Sequence, residues 1–393
     1  MSLAKIVSHG HWKQKQACFV GLLVALLLLL CCLSACGPSA GVLGGGNWQA
    51  SGLTNTQMQT LAVRAGTPTT IYAANEQGHV FVSTDSGQHW SEHSSGLPLP
   101  DPIHQLATSL NGQQLYAATD KGLFVSSSAV NSWQAVSGLP ADRYTALDFS
   151  VNHLSTIYVG TAQHGVLVTT NNGRSWTPAG SGLPSQPIND LVVDTDAGHI
   201  WCVESAGVYR LDNQSRTWHS LNTGLPSGIA INTILPASLV GGQANLIYLG
   251  TSRGFFLSQD TGAHWTRGQV PLSGTAVHAI LIDVRNSSLK TLYLATDAGA
   301  LSSTDGGQNW GLIAKGLPAN QPIKTLALGG DNDAQLFAVA GTVYLYPGTS
   351  GGIAPERIVP FLIILAFFAG LLRFSMRGRK RRPRAAPPNS TTS

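Results

Sequence analysis

A short segment resembling I-x-x-L occurs seven times in the chain. At its two middle positions, many of the side chains are polar and capable of acid–base or ligand chemistry. The second residue of this segment contributes Gln59, His104, Thr145, Asn189, Asn232, His278 and Lys324. The third contributes Thr60, Gln105, Ala146, Asp190, Thr233, Ala279 and Thr325. Either series is suited to the mouth of a central channel, and we predict a binding surface there. Its predicted residues are Gln59, His104, Asn189, Asp190, Asn232, His278 and Lys324.

Two kinds of chemistry follow from these side chains. Hydrolysis of a glycosidic bond generally uses two carboxylates that face each other across the bond. The two series contain a single acid, Asp190, and neighbouring segments add Glu204 and Asp297. His104 and His278 share a repeat position but fall in repeats that are not adjacent, so we predict no metal site and no cofactor. Non-catalytic binding is the leading interpretation, and a glycoside hydrolase using Asp190 with Glu204 or Asp297 is the alternative.

The elements that position these residues are predicted by a long internal period. Seven tryptophans lie 42 to 47 residues apart: Trp48, Trp90, Trp133, Trp176, Trp218, Trp265 and Trp310. Self-similarity of this length indicates a propeller or a solenoid. Each period has three short strand patterns before the tryptophan and one after it, separated by polar, glycine-rich turns. Four short strands in each period are typical of a propeller blade.

The two ends of the repeat region complete each other. A final unit begins at Ile323 and has no tryptophan, whereas Trp48 begins a fourth strand with no blade before it. An N-terminal strand that closes the last blade leaves no open sheet edge. We therefore predict an all-β fold, a single seven-bladed propeller spanning residues 47–347.

A turn of the form S-x-D-x-G-x-x-W, here called the box, precedes several of the tryptophans. The predicted structural residues are Ser83, Asp85, Gly87, Trp90, Asn171, Gly173, Trp176, Ser258, Asp260, Gly262, Trp265, Ser303, Asp305, Gly307 and Trp310. In the worn copies that end at Trp133 and Trp218, Ser128 and Asn213 replace the aspartate. An Asp or Asn side chain accepts hydrogen bonds from its own turn, and glycine supplies a positive φ. We predict a structural role for the box.

These turns resemble the BNR/Asp-box repeat of sialidases, sortilin-type ectodomains, xyloglucanase-type glycoside hydrolases and the photosystem II stability/assembly factor family. The resemblance extends from about Trp48 to Tyr346. It implies a propeller in which the box lies away from the binding sites. The single seven-bladed unit, its closing strand and the leader described next are most similar to the photosystem II assembly factor group.

Both ends of the chain predict membrane attachment. Residues 1–36 combine a basic start with an apolar run and end in Leu33-Ser34-Ala35-Cys36, which predicts a signal peptide. The sequence around Cys36 resembles a bacterial lipobox, which implies lipid attachment to Cys36. An uncleaved signal anchor is the alternative, and residues 37–46 are predicted to form a flexible tether.

At the other end, residues 348–357 form a predicted linker, residues 358–376 a predicted transmembrane helix and residues 377–393 a basic tail. Positive charge beside a span favours the cytoplasmic side. We therefore predict a bacterial cell-membrane protein with a cytoplasmic tail and an external propeller.

Charge and cysteine usage exclude other classes. The net charge is +4, but the membrane-associated ends hold 11 of the 23 Lys and Arg residues, and the propeller is acidic. An acidic domain disfavours nucleic-acid binding. Four of the five cysteines lie in the first 36 residues, which leaves Cys202 as a predicted buried residue. The predicted function is a membrane-anchored scaffold with a protein or glycan ligand on one propeller face; the alternative is a sialidase- or xyloglucanase-like hydrolase.

Overall fold

The computed structural model describes residues 46–53, 56–64, 66, 68–194, 198–205, 207–237, 245–271, 274–283, 290–319, 321–329 and 335–347. The predicted signal peptide, the lipidation site Cys36, the tether up to residue 45 and the predicted span lie outside these residues. In the part that is described, no helix is both long and apolar enough to cross a bilayer.

The described strands form seven four-stranded antiparallel sheets, which are the blades. The first strand, β1, is Gln49–Ala50. Blade 1 contains β2 (Met58–Arg64), β3 (Thr70–Asn75), β4 (Val80–Ser83) and β5 (Ser91–Glu92). Blade 2 contains β6 (Ile103–Thr108), β7 (Gln114–Thr119), β8 (Gly122–Ser127) and β9 (Gln134–Ala135). Blade 3 contains β10 (Tyr144–Phe149), β11 (Ile157–Thr161), β12 (Val166–Thr169) and β13 (Thr177–Pro178).

Blade 4 contains β14 (Ile188–Asp194), β15 (His199–Glu204), β16 (Gly207–Asp212) and β17 (Thr217–Ser220). Blade 5 contains β18 (Ile231–Pro236), β19 (Ile247–Thr251), β20 (Gly254–Ser258) and β21 (Thr266–Arg267). Blade 6 contains β22 (Val277–Ile282), β23 (Leu292–Thr296), β24 (Gly299–Ser303) and β25 (Gly311–Leu312). Blade 7 contains β26 (Thr325–Gly329), β27 (Gln335–Ala340) and β28 (Thr342–Tyr346), and β1 pairs with β28 as its outer strand. The predicted seven blades and the predicted closure are both confirmed.

The first strand of each blade lies at the centre, and neighbouring first strands contact one another around the ring. In blades 1 to 6 a bulge interrupts this strand after its first residue, as between Ile103 and Gln105. A bulge inserts an unpaired residue and changes the direction of the side chains that follow. The first and fourth residues are buried, whereas the second, third and fifth are partly exposed in most blades. Both polar series of the I-x-x-L segment therefore lie on the inner strands around the axis of the ring, a surface called here the channel wall.

The apolar core is divided into seven clusters, and each lies between two neighbouring blades. Strands alternate the direction of their side chains, so one blade contributes to the clusters on both of its sides. In β15, for example, Cys202 packs toward blade 3 and Val203 toward blade 5. Cys202 is fully buried, which confirms the prediction, and burial raises the pKa of its thiol well above the ordinary value.

The propeller has two faces, and each is made of two kinds of turn. The lower face holds the turns between first and second strands, called 1–2 turns, and the box turns. The Ser86 amide, for example, donates to the Thr69 carbonyl across these two turns, at 3.1 Å. The upper face holds the turns between second and third strands, called 2–3 turns, and the connections to the next blade. There the Asp101 amide donates to the Gln77 carbonyl, at 3.1 Å.

Each box turn is held by hydrogen bonds within about seven residues. Ser83 Oγ donates to Asp85 Oδ1 at 2.8 Å and accepts from the Gly87 amide at 2.8 Å. Asp85 Oδ1 also accepts from the His89 amide at 2.9 Å. Equivalent bonds surround Asp260, Asp305 and Asn171. The box residues have the local bonds that the sequence predicts.

Glycine in the recurring Gly-Leu-Pro segment allows one blade to approach the next. A Cβ added at Gly316 would lie 2.3 Å from the Trp48 carbonyl oxygen, and the glycine has a φ of +95°. The Trp48 amide donates to the carbonyl of Lys315, the residue before Gly316, at 2.9 Å. This junction seats the closing strand on blade 6, and equivalent bonds join Trp133 to Ser95 and Trp265 to Thr223.

Candidate functional site

The upper face brings the second residue of an inner strand against the 2–3 turn of its own blade. In blade 2, His104 Nε2 lies 2.7 Å from Asp120 Oδ1. In blade 6, the equivalent atoms of His278 and Asp297 lie 2.6 Å apart. Each predicted histidine therefore has its own carboxylate partner. Within the described residues, no group of three His, Cys, Asp or Glu side chains is placed to hold a metal ion.

Blades 1 and 7 join their predicted binding residues in one polar cluster. Gln59 Nε2 donates to Glu76 Oε1. Lys324 Nζ donates to Gln59 Oε1 and lies 3.7 Å from Glu76 Oε1. Because Glu76 lies on a 2–3 turn, the pattern of blades 2 and 6 recurs here with an amide in place of the imidazole. The lysine therefore links blade 7 to blade 1.

The predicted asparagines link neighbouring blades. Asn189 Nδ2 donates to the Ile231 carbonyl at 2.7 Å, and Asn232 Nδ2 donates to the Val277 carbonyl at 2.9 Å. In both cases the acceptor is the first residue of the next inner strand. These two amide groups therefore satisfy backbone carbonyls between blades 4, 5 and 6, which gives them a structural part on the channel wall.

Asp190 is also occupied by contacts to the next blade. Its Oδ2 accepts from Thr233 Oγ1 at 2.8 Å and from the Ile234 amide at 3.0 Å. Its Oδ1 accepts from the Leu191 amide at 2.9 Å. Desolvation by burial raises the pKa of this carboxyl to about 6, against the opposing effect of these hydrogen bonds. Asp190 thus fastens blade 4 to blade 5.

A second aspartate, Asp148, has the same role between blades 3 and 4. Its Oδ2 accepts from the Val193 amide at 2.7 Å, and its Oδ1 accepts from the Phe149 amide at 2.8 Å. Desolvation by burial, with a smaller contribution from the charge of Asp190, raises the pKa of Asp148 to about 7 against the lowering effect of these two hydrogen bonds. Sequence reasoning missed this residue. The available signal was its place at the fifth position of an inner strand, which alternation brings to the channel side.

The three carboxylates of the predicted hydrolase occupy different settings. Asp190 is engaged with blade 5, and Asp297 belongs to blade 6 and is paired with His278. Glu204 lies at the end of β15 with 2% of its surface exposed, and burial raises its pKa to about 7. Among the described residues, Glu204 Oε1 has no hydrogen-bond partner. A buried carboxyl with a raised pKa can act as an acid, but catalysis also requires access to substrate.

An open cleft of about 610 Å³ lies on the upper face between blades 2 and 3. Its lining consists of Asp120, Lys121, Ala141, Asp142, Arg143, Ala162 and Gln163. The Arg143 side chain is 44% exposed, and its Nε lies 4.0 Å from Asp120 Oδ1. Lys121 Nζ is bound instead to the carbonyls of Pro98 and Pro100, at 3.0 and 3.4 Å. The Arg143 side chain is therefore a half-exposed donor for a ligand in this cleft.

The buried carboxylate of Asp142 lies at the bottom of the same cleft. Its side chain is 1% exposed and accepts from the amides of Arg143, Gln163 and His164 at 2.7, 3.0 and 3.1 Å. His164 Nδ1 lies 2.7 Å from Asp142 Oδ2. Desolvation acts to raise the pKa of Asp142, but the hydrogen bonds from His164, Gln163 and Arg143 outweigh it and lower the pKa. The buried carboxylate thus fixes the loops that carry Arg143 and Gln163.

The sequence did not single out this cleft because its residues come from two blades and from two different kinds of loop. Asp142 and Arg143 precede an inner strand, whereas Asp120 and Gln163 lie in 2–3 turns. The predicted channel residues come together only in part: Gln59 contacts Lys324, and Asn189 and Asn232 each contact a backbone carbonyl of the next blade.

Comparisons with known proteins agree with this architecture. A xyloglucanase of Hypocrea jecorina (strain QM6a) is 26% identical over 313 residues, which cover 77% of this chain and 35% of that protein. The chain spans about a third or less of the curated relatives that it matches.

Two solved structures share the fold. A structure of YCF48 bound to D1 peptide has a TM-score of 0.60 and 15% identity, and the match covers 78% of this chain and 98% of that one. An ancestral GH74 enzyme has a TM-score of 0.63 and 15% identity, and the match covers 78% of this chain and 47% of that one. At 15% identity, these two similarities are similarities of fold.

The family match rests on the sequence itself. Residues 45–270 match a family described as the DUF6242 beta propeller domain. The matched segment contains β1 and blades 1 to 5, which is more than half of the chain. The chain therefore belongs to the DUF6242 beta propeller domain family.

Proposed function

We propose that this propeller is a non-catalytic binding scaffold, anchored outside a bacterial membrane, that takes a protein partner on its upper face. The observation that supports the proposal most directly is the cleft between blades 2 and 3. It combines the half-exposed side chains of Arg143 and Asp120 with the buried, ionised carboxylate of Asp142 beneath them.

The chemistry of this cleft suits a polypeptide. Arg143 offers donors to carboxylate or carbonyl oxygens of a partner, and Asp120 offers an acceptor to its amides or cations. Loops held by a rigid scaffold are common positions for binding residues. The solved YCF48 propeller, which is matched over nearly its whole length, is bound to a peptide, and this supports a peptide-binding role for a propeller of this size.

A pull-down with the full chain tests the proposal. Arg143→Ala is expected to lose the partner that the unsubstituted chain retains, while Arg267→Ala retains it. Arg267 is a matched control because it is exposed on the outer strand of blade 5, where its Nη2 donates to the Arg253 carbonyl. Retention of every partner by Arg143→Ala would place the binding surface elsewhere and contradict this cleft assignment.

Glycan processing is the second candidate, because the curated relatives are xyloglucanases. The same preparation is incubated with xyloglucan oligosaccharides and analysed for shortened products. Turnover that is lost in Glu204→Gln or Asp297→Asn, with no protein partner retained, would replace the scaffold proposal with the hydrolase. Binding without turnover would identify a glycan rather than a protein as the ligand.

A further inference from the structure

Both ends of the described chain leave the propeller on its lower face, side by side in blade 7. β28 runs from the 2–3 turn on the upper face to Tyr346 on the lower face, and β1 pairs with it in the opposite direction. A Cβ added at Gly46 would lie 3.1 Å from Tyr346 Cζ and 3.3 Å from the Pro347 oxygen. The apolar run of residues 358–372 begins 11 residues after Pro347. Any membrane attachment through either end is therefore made from the lower face.

The lower face also carries exposed apolar side chains on blades 2 and 3. Leu110 lies in the 1–2 turn of blade 2 and is 49% exposed, while Val151 and Leu154 lie in the 1–2 turn of blade 3 and are 57% and 69% exposed. Leu110 and Leu154 line one small pocket of about 40 Å³. The two other large apolar residues described as exposed are Leu99, on the upper face, and Leu312, on an outer strand.

These side chains are held in place by ordered turns. The Ser109 amide donates to the Gln114 carbonyl at 2.9 Å, and the Ser150 amide donates to the Thr156 carbonyl at 3.1 Å. The 1–2 turn of blade 3 is also tied to its box turn, since the Asn172 amide donates to the Ser155 carbonyl at 3.0 Å. Because the backbone of these turns is already fixed, a partner that covers their apolar side chains pays no further cost for ordering the loops.

The charges around the lower-face turns of blades 2 and 3, here called the sector, favour a lipid partner over an apolar protein surface. The box turns of blades 1, 5 and 6 carry Asp85, Asp260 and Asp305, whereas those of blades 2 and 3 carry Ser128 and Asn171 at the same position. Across residues 109–113, 126–133, 150–156 and 169–176 there is no acidic residue, and Arg174 is exposed. Apolar side chains with basic and no acidic neighbours suit the boundary of an anionic bilayer.

The position of this sector in the ring completes the argument. Blades 2 and 3 lie two and three places from blade 7, and three places is the greatest separation in a ring of seven. An anchor at blade 7 leaves the propeller free to tilt about one edge. A second contact on the far side of the same face holds that face parallel to the membrane.

We propose that the lower face of blades 2 and 3 rests on the lipid surface, with Leu110, Val151 and Leu154 entering the boundary between headgroups and acyl chains. The inference rests on the membrane anchoring included in the proposed function. It goes beyond that function because it orients the propeller: the box turns face the bilayer, and the cleft with Arg143 faces away from it and stays accessible to a partner.

Site-specific photo-cross-linking in the full chain tests this orientation. The photoreactive residue p-benzoylphenylalanine is placed at position 110, 151 or 154 and, as matched controls, at positions 99 and 312. The chain is reconstituted in vesicles of phosphatidylethanolamine and phosphatidylglycerol, and the adducts are identified by mass spectrometry. Lipid adducts are expected to be several-fold more frequent at positions 110, 151 and 154 than at either control.

A second variant excludes an effect of the bulky probe. Leu110→Ser combined with Leu154→Ser is expected to lower the lipid adducts from position 151 several-fold while the unfolding midpoint is unchanged. Equal adducts at positions 99 and 154, or adducts to protein instead of lipid, would overturn the inference. Release of the chain by alkaline carbonate would overturn the anchoring and this inference together, whereas the pull-down through Arg143 would be unaffected.

Discussion

Two sets of aspartates in this propeller accept the same kind of backbone hydrogen bond, and yet their pKa values are shifted in opposite directions. In the box turns, the hydrogen bond from the His89 amide is the largest cause that lowers the pKa of Asp85 to about 2. The side-chain bond with His264 is the largest cause for Asp260, whose pKa is also about 2. On the channel wall, desolvation raises the pKa of Asp148 to about 7 and that of Asp190 to about 6.

The difference shows that one set stabilises local turns and the other stabilises contacts between blades. A box aspartate bonds to residues within four positions of itself, in water, and its charge is retained. Asp148 and Asp190 bond to amides that lie 45 and 44 residues away, in the next blade, where the surrounding protein disfavours their charge. The box therefore stabilises a turn, and the channel aspartates stabilise the ring.

The largest expected effect comes from the junction that closes the ring. Gly316→Ala places a Cβ against the Trp48 carbonyl at a positive φ, so the free energy of unfolding should fall by about 2 kcal/mol or more. Denaturant unfolding followed by tryptophan fluorescence measures this loss. The control is Gly311→Ala, because no heavy atom lies within 4 Å of its Cβ position. Equal losses in both variants would show that closure adds no special stability.

Removal of a channel carboxylate should have the next largest effect. Asp190→Ala leaves the Ile234 amide and the Thr233 hydroxyl without their acceptor, which costs about 1–3 kcal/mol. Asp260→Ala in a box turn is the comparison, and its loss should be smaller because water replaces the lost bonds. The two are compared by urea unfolding under the same conditions. A larger loss for Asp260→Ala would reverse the distinction between ring and turn.

The two sets should also respond to pH in opposite directions. A raised folded-state pKa means that the stability contributed by Asp148 and Asp190 is present below about pH 4 and lost as pH rises through 6 to 7. The depressed pKa of Asp85 and Asp260 means that their contribution is present above about pH 4 and lost as pH falls toward 2.

Asp148→Asn isolates the high-pH part of this dependence. The amide does not ionise, so the fall in unfolding free energy between about pH 4 and 7 should become shallower by up to about 1.4 kcal/mol per pH unit, while the limb below pH 4 is unchanged. Unfolding midpoints measured across that range show the slope. An unchanged slope would mean that Asp148 is already ionised in the folded state at pH 5.

The smallest effect is expected inside a single box. Ser303→Ala removes the acceptor of the Gly307 amide and a donor to Asp305 Oδ1, which should cost about 1 kcal/mol. Thr169→Ala, in the copy that carries Asn171, should cost about the same, because the bonds are equally local. Thermal unfolding of both variants tests this. Loss of the whole fold in either variant would contradict a purely local role.

Much of the architecture was predictable because it depends on local patterns. The spacing of Trp48 to Trp310 predicted the repeat, and the unmatched strands at its ends predicted the closure by β1 and β28, which the structure confirms. The candidate site was predictable only in part. His104 and His278 were placed at the channel mouth, but their partners, Asp120 and Asp297, lie 16 and 19 residues further along.

The sequence by itself determined the fold class, the number of blades, the closing strand and the box turns, because strand alternation and turn residues act over a few positions. Only the tertiary structure decided that Asp190 and Asn189 bond to the next blade, that Asp148 has the same part, and that Leu110 and Leu154 share one patch. These contacts join neighbouring blades, and a bulge in each of six inner strands sets the side-chain directions. A repeat pattern specifies what each blade contains; the packing of one blade on the next decides which side chains remain free to bind.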